Sequence, residues 1–259
     1  MTLRPAATED GADMGEAVVL VTGGSRGVGA EVAGLLAERG DVGTVVVNHR
    51  DGNKAWMARA VAARVEAAGR RALVLRADLT DPDETRGMLA DLEESAGRLD
   101  GLVLNASGGL ERWADEGYAM RINADSPVRL VDAALPLMRP GGRIAFVTSH
   151  WAHFERYESP VYAPVARSKQ AGEAALRARS AQLAARGVAL TVVSGDVIAD
   201  SPIALMLDRL NPGWLAARRD RVGPLPDTRA FAGAIADAAV PDGRGARPPA
   251  TVYVGSTRM

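Results

Sequence analysis

Thr22-Gly23-Gly24-Ser25-Arg26-Gly27-Val28-Gly29 is the stretch on which the fold of this chain turns. Before it runs Ala17–Thr22, apolar and β-branched. After it, Val28, Val32, Leu35 and Leu36 recur at helical spacing, with a stop expected at Gly40. A glycine run between strand and helix has a physical use. Gly23 permits a tight turn, Gly27 lets backbone approach a pyrophosphate, and Gly29 allows close contact between helix and strand. The helix N-terminus offers unpaired N–H groups and the positive end of its dipole to phosphates. Ser25, Arg26 and Val28 are therefore expected to join the three glycines in holding a dinucleotide.

Working outward, short apolar runs alternate with helical patterns. Thr44–Asn48, Ala72–Arg76, Leu102–Asn105, Arg143–Thr148, Val188–Ser194 and Thr251–Val254 follow the first strand. They are nearly continuously apolar, as strands are when both faces of a parallel sheet are covered. Asp81-Pro82 opens one intervening helix, with Asp at the cap and Pro in the first turn. The pattern predicts an α/β chain: a doubly wound Rossmann fold with a seven-stranded, mainly parallel sheet and helices on both faces. Residues 1–16 lack periodicity and read as a flexible tail, leaving 17–259 as one domain.

Composition narrows the partners. The net charge of −1 gives no field to attract nucleic acid or anionic lipid, and neither partner is expected. With no cysteine there is no disulfide, thiolate metal site or Cys nucleophile. No apolar run has bilayer-spanning length and the N-terminus lacks a signal-peptide core, so a cytoplasmic location is expected. His150 and His153 form a His-x-x-His pair without an evident third ligand, and no metal is expected.

The end of strand two bears on cofactor choice. An NAD site usually carries an acid there to grip the ribose hydroxyls. This chain has Asn48-His49-Arg50 instead, with Arg26 in the glycine turn and Asp51 one step further on. Two forked cationic donors suit a 2′-phosphate, which points to NADP(H).

The spacing Thr-Gly-x-x-x-Gly-x-Gly resembles that of the short-chain dehydrogenase/reductase family, and the resemblance runs from about Ala17 to Gly255. Asp78, with Leu79, matches the family's adenine-contacting segment after strand three. Leu104-Asn105-Ala106-Ser107 is similar to Asn-Asn-Ala-Gly after strand four, and Asn123 to the family's Asn in helix four. Ser149 fits the catalytic Ser and Lys169 the Lys of Tyr-x-x-x-Lys. Gly195 and Val197, in Ser194-Gly195-Asp196-Val197, match the run flanking the nicotinamide. The resemblance thus implies Ser149, Lys169, Asn123 and Ser107 as catalytic residues. It implies Asn105, Ala106, Ser107, Lys169, Gly195 and Val197 as further cofactor contacts, and a dimer or tetramer packed through helices around 125–138 and 165–186.

The family Tyr falls on Val165. Losing a positioned acid costs ~10²–10⁴ in rate, so another proton source is required. Tyr162, Tyr157 and His150 are candidates in the chain. The preferred source is a substrate with a hydroxyl beside its ketone, as in peri-hydroxylated aromatic polyketides. Ser149 and Ser107 would then orient the carbonyl, and Lys169 would hold the nicotinamide ribose. Residues 199–228 carry Ile203, Leu205, Met206, Leu207, Leu210, Trp214 and Leu215 beyond the strand ends, where a lid over a flat substrate is expected. The whole resembles ketoreductases of aromatic polyketides, the angucyclinones in particular, acting on a polycyclic aromatic ketone. Two alternatives stand: a non-catalytic NADP(H)-binding sensor, and a reductase with a relocated Tyr162 acid.

Overall fold

The computed structural model describes residues 16–111, 114–115, 117–155, 160–243, 245 and 247–258. Tyr157 and nearly all of the expected tail lie outside them. The chain runs β1 Ala17–Val21, α1 Gly27–Ala37, β2 Val42–His49, α2 Ala55–Ala67, β3 Arg71–Arg76, α3 Pro82–Ala96 and β4 Leu99–Leu104. There follow α4 Tyr118–Met120, a π turn Arg121–Asp125, α5 Ser126–Ala134, β5 Met138–Ser149, α6 His150–His153, α7 Ala163–Arg177 and α8 Ser180–Ala185. The described chain closes with β6 Ala189–Gly195, α9 Pro202–Leu210, α10 Trp214–Val222, α11 Thr228–Ala239 and β7 Ala250–Val254.

The seven strands form one sheet in the order β3-β2-β1-β4-β5-β6-β7. Each neighbouring pair is parallel, which bears out the expected fold. Alternation along the strands feeds two apolar layers. Leu20, Val46, Leu102, Leu104, Ile144 and Phe146 face the layer that contains α3, α5 and α7 residues. Val19, Val21, Val45, Val47, Val103 and Val193 face the layer of α1, α2 and α11. Burying such a side chain is worth ~1.5–3 kcal/mol, and all five residues of β1 are buried. Strand order reverses between β1 and β4, so a crevice opens beyond their carboxyl ends.

Three local expectations need correction. α1 stops at Ala37 with Glu38 as a right-handed cap. Gly40 is not the left-handed stop, because Arg39 fastens the turn to Asp41 and Asp237 instead. The helical region 165–186 is two helices, with Arg179 bound to Asp132 at the break. Around 125–138, α5 gives way to a tight 3₁₀ turn over Leu135–Leu137 before β5 begins at Met138. Asp81 does cap α3, accepting from the N–H groups of Asp83 and Glu84.

Candidate active site

A cleft of about 660 Å³ lies over the carboxyl ends of the strands. The glycine turn forms one wall. Gly23 has φ +61° and Gly27 φ +54°, values that a side chain disfavours. At Gly27 nothing stands within 4 Å of where a Cβ would project, so backbone is open to a ligand there. A Cβ on Gly29 would strike the Gly23 carbonyl and lie 2.6 Å from Asn105 Nδ2. Thr22 holds this turn to the loop after β4. Its hydroxyl donates to Val103 O and accepts from the N–H groups of Asn105 and Ala106. Asn105 Nδ2 returns a bond of 3.0 Å to Thr22 O. The spacing singles out the glycines but not this role of Thr22.

The remaining cofactor candidates, Ser25, Arg26, Val28, His49, Arg50, Asp78, Leu79, Ala106, Ser107, Gly195 and Val197, also line the cleft. Arg26 is exposed at its rim. Asn48 lines it too, but its amide is spent inside the protein, accepting from Gly23 N at 3.2 Å and donating to Ala77 O at 3.3 Å. It therefore braces the glycine turn. Asp78 is bound by the backbone and hydroxyl of Thr80, which orients its carboxylate.

Ser149, Lys169, Val165 and Tyr162 converge at the other end of the cleft. Val165 and Lys169 are four residues apart and share one face of α7. Tyr162 stands at the N-terminus of that helix, seven residues before Lys169. Its hydroxyl is hydrogen-bonded to Ser149, and burial raises its pKa above the ordinary tyrosine value. Lys169 Nζ donates to Val147 O at 3.4 Å. Burial lowers its pKa to about 8. Asn123 is not part of the wall. It sits behind it in the π turn, donating to Gly108 O at 2.8 Å and to Ser168 Oγ at 3.0 Å. Gly172 permits that packing, since a Cβ there would strike the Asn123 carbonyl.

His150 and His153 turn to different partners. His150 Nδ1 meets Ser194 Oγ at 2.8 Å, and His153 Nδ1 meets Glu173 at 3.0 Å. Among the described residues no cluster could hold a metal ion, and no helix is long and apolar enough to cross a membrane. Burial pushes the His150 pKa down to about 4, so the ring is neutral at pH 7. The unfolded chain binds that proton between pH 6.5 and 4 and the native protein does not, so stability should fall as pH drops through this window. A shift of this size predicts a loss of a few kcal/mol. Urea unfolding at pH 7 and 4.5 should show a smaller loss in His150→Gln than in the parent; equal losses refute it.

The segment 199–228 folds as α9 and α10. Leu207 and Trp214 pack with Trp151 and Tyr162 beside the cleft. Trp151 meets Tyr162 edge-on at 5.3 Å and Trp214 at 5.8 Å. Leu205 and Leu210 instead face outward, which periodicity alone does not separate. Arg218 of α10 pairs with Asp196, with NH2 to Oδ1 at 2.8 Å, and both side chains are about fully buried.

A family model described as short chain dehydrogenase matches residues 17–204. The chain belongs to the short-chain dehydrogenase/reductase family. Its relatives include 1-cyclohexenylcarbonyl-CoA reductase of Streptomyces collinus, 32% identical over 235 residues covering 83% of this chain and 79% of that one. Hydroxynaphthalene reductase arp2 of Aspergillus fumigatus is 30% identical over 68% of this chain and 64% of its own. Among solved structures, a metagenomic blue fluorescent protein in complex with NADPH superposes with TM-score 0.77 at 29% identity, over 96% of this chain and 100% of that one. Landomycin C-6 ketoreductase LanV, with bound NADP and rabelomycin, gives TM-score 0.72 at 28% identity, over 95% and 97%. A short-chain dehydrogenase/reductase is an oxidoreductase, and the cleft lies beyond the carboxyl ends of the strands, where doubly wound sheets bind their ligands.

Proposed function

We propose that this protein is an NADPH-dependent ketoreductase that reduces a carbonyl of a hydroxylated, angucyclinone-like aromatic polyketide. The observation that carries the reading is the aromatic wall of Trp151, Tyr162 and Trp214 beside Ser149. It offers a flat guest apolar contact next to a hydroxyl that can orient a ketone. The neighbour that holds rabelomycin supports the same substrate class. The open glycine turn fits a pyrophosphate, and Arg26 and Arg50 supply cations for a 2′-phosphate.

Bound NADPH supplies the hydride. The chain's own residues do the rest. Lys169 holds the nicotinamide ribose, while Ser149 and Ser107 orient the carbonyl. Val165 has no proton to give, and the substrate's neighbouring hydroxyl protonates the new alkoxide. A second reading makes Tyr162 the acid, and its bond to Ser149 favours it. Against it, burial raises the pKa of that hydroxyl, and the opposing bond to Ser149 does not reverse the shift. A dimer or tetramer packed through α5 and α7 completes the proposal.

Purified protein with NADPH should reduce at least one hydroxylated polycyclic ketone. Cofactor binding without turnover across a broad panel would instead indicate a sensor. Arg50→Ala should weaken NADPH by roughly 10- to 100-fold, the worth of a charged hydrogen bond, and leave NADH nearly unchanged. Equal loss of both in fluorescence titrations would overturn the NADP(H) assignment.

A further inference from the structure

The adenine end of the cleft contains a contact that no family motif supplies. Arg50 follows β2, and Tyr118 begins α4 on the opposite side of the crevice. Arg50 NH1 donates to the Tyr118 hydroxyl, joining residues 68 apart in sequence. The guanidinium carbon also stands 5.9 Å from the centre of the Tyr118 ring, within the range of a cation–π contact. Both residues line the cleft, as do Asp78 and Leu79. Tyr118 itself is 5% exposed and belongs to the apolar core. Gly108 makes room for it: a Cβ there would lie 2.7 Å from Tyr118 Cε1. The ring is therefore fixed, and its hydroxyl is a fixed acceptor.

We propose that Tyr118 is a positioning residue for cofactor selection, holding the Arg50 guanidinium at the adenine end of the cleft for a 2′-phosphate. The inference rests on the NADP(H) reading above. An arginine side chain loses much rotamer freedom when it is ordered around a phosphate. Tying it down before the ligand arrives removes part of that cost from binding. A guanidinium carries five N–H donors in a fixed fork, so a bond to the tyrosine does not by itself use up its capacity for a phosphate. Because NADH carries no 2′-phosphate, the benefit falls on NADPH alone. Selectivity then comes from two elements: Arg50 supplies the charge and Tyr118 its position.

The test is a double-mutant cycle on the intact protein, read as dissociation constants of NADPH and NADH by fluorescence titration. Tyr118→Phe keeps the ring and its packing and removes only the hydroxyl. It should weaken NADPH about five- to tenfold, the scale of one lost hydrogen bond, with NADH within twofold of the parent. In an Arg50→Ala background the same change should have no selective effect. Equal weakening of both cofactors would make Tyr118 a merely structural residue and overturn the proposal. Tighter NADPH binding would overturn it too, because the tether would then be competing with the phosphate. If Arg50→Ala lowers NADPH preference while Tyr118→Phe does not, the positioning role fails and the NADP(H) reading survives. If Arg50→Ala leaves the preference intact, both fall.

Discussion

Reduction should stop when the hydroxyl beside the ketone of an accepted polycyclic substrate is methylated, even though the ether still binds. In the proposed reaction that hydroxyl is the proton source, and the methyl group removes the proton while leaving the carbonyl in place. Tyr162→Phe supplies the complementary test. A general acid is worth ~10²–10⁴ in rate, or roughly 3–5 kcal/mol of barrier. If the substrate gives the proton, the Phe variant should turn over within several-fold of the parent. The residual loss would reflect the missing hydroxyl partner of Ser149. Ser149→Ala should cost more, since it removes the group that orients the carbonyl. The added methyl brings bulk, so affinity has to be measured with rate. A bound ether reduced at the parent rate, with Tyr162→Phe inactive, would transfer the role of acid to Tyr162.

Arg218→Met should be the most damaging substitution in the segment 199–228. It removes the charge partner of Asp196, whose Oδ1 keeps the Val197 N–H and whose other carboxylate oxygen is already buried without a hydrogen-bond partner among the described residues. Breaking one partner from a buried pair costs ~3–5 kcal/mol. For a chain of this size that is on the order of 10 °C in Tm. Arg218 also donates to the Arg258 carbonyl at 3.1 Å, and Asp196 N donates to Val254 O at 2.8 Å. The loss should therefore reach the loop after β6. Replacing both members, as Arg218→Met with Asp196→Leu, should recover much of the stability, since well-packed apolar pairs often replace buried ion pairs without loss. Calorimetry distinguishes the cases. A single variant that melts with the parent would mean that the pair contributes nothing to the native state.

The sheet was legible because its strands announce themselves locally. Ala17–Thr22, the glycine turn and the α1 stripe lie within one supersecondary unit, and periodicity reads such units well. Individual side chains were legible only where one element decides them, as with Val165 and Lys169 on one helical face. Asn48 illustrates the limit. Its position at the end of β2 suggests a ligand contact, yet its amide is consumed by Gly23 and Ala77 from two other segments. Asn123 matches the family spacing but is held behind the wall by Gly108 and Ser168. Tyr118 meets Arg50, and Arg218 meets Asp196, across different elements. Such pairings depend on how loops cross the sheet, which no local pattern encodes. Tyr162 is intermediate: the sequence offers it as a candidate acid, but its bond to Ser149 joins two different elements.

Lys169 has a practical consequence for chemical labelling. The chain has only two lysines, Lys54 and Lys169. Lys54 has 58% of its side chain exposed, and it stands at the rim of the cleft. Lys169 is 8% exposed. Of the two, Lys54 is the more accessible to an amine-reactive dye in the native protein, beside the expected nucleotide entrance. A fluorophore attached there would report nucleotide arrival from its rim. Acylation of Lys169 would require a reagent that enters the cleft, and bound nucleotide should block it, so one reagent, read by peptide mapping, distinguishes the empty site from the occupied one.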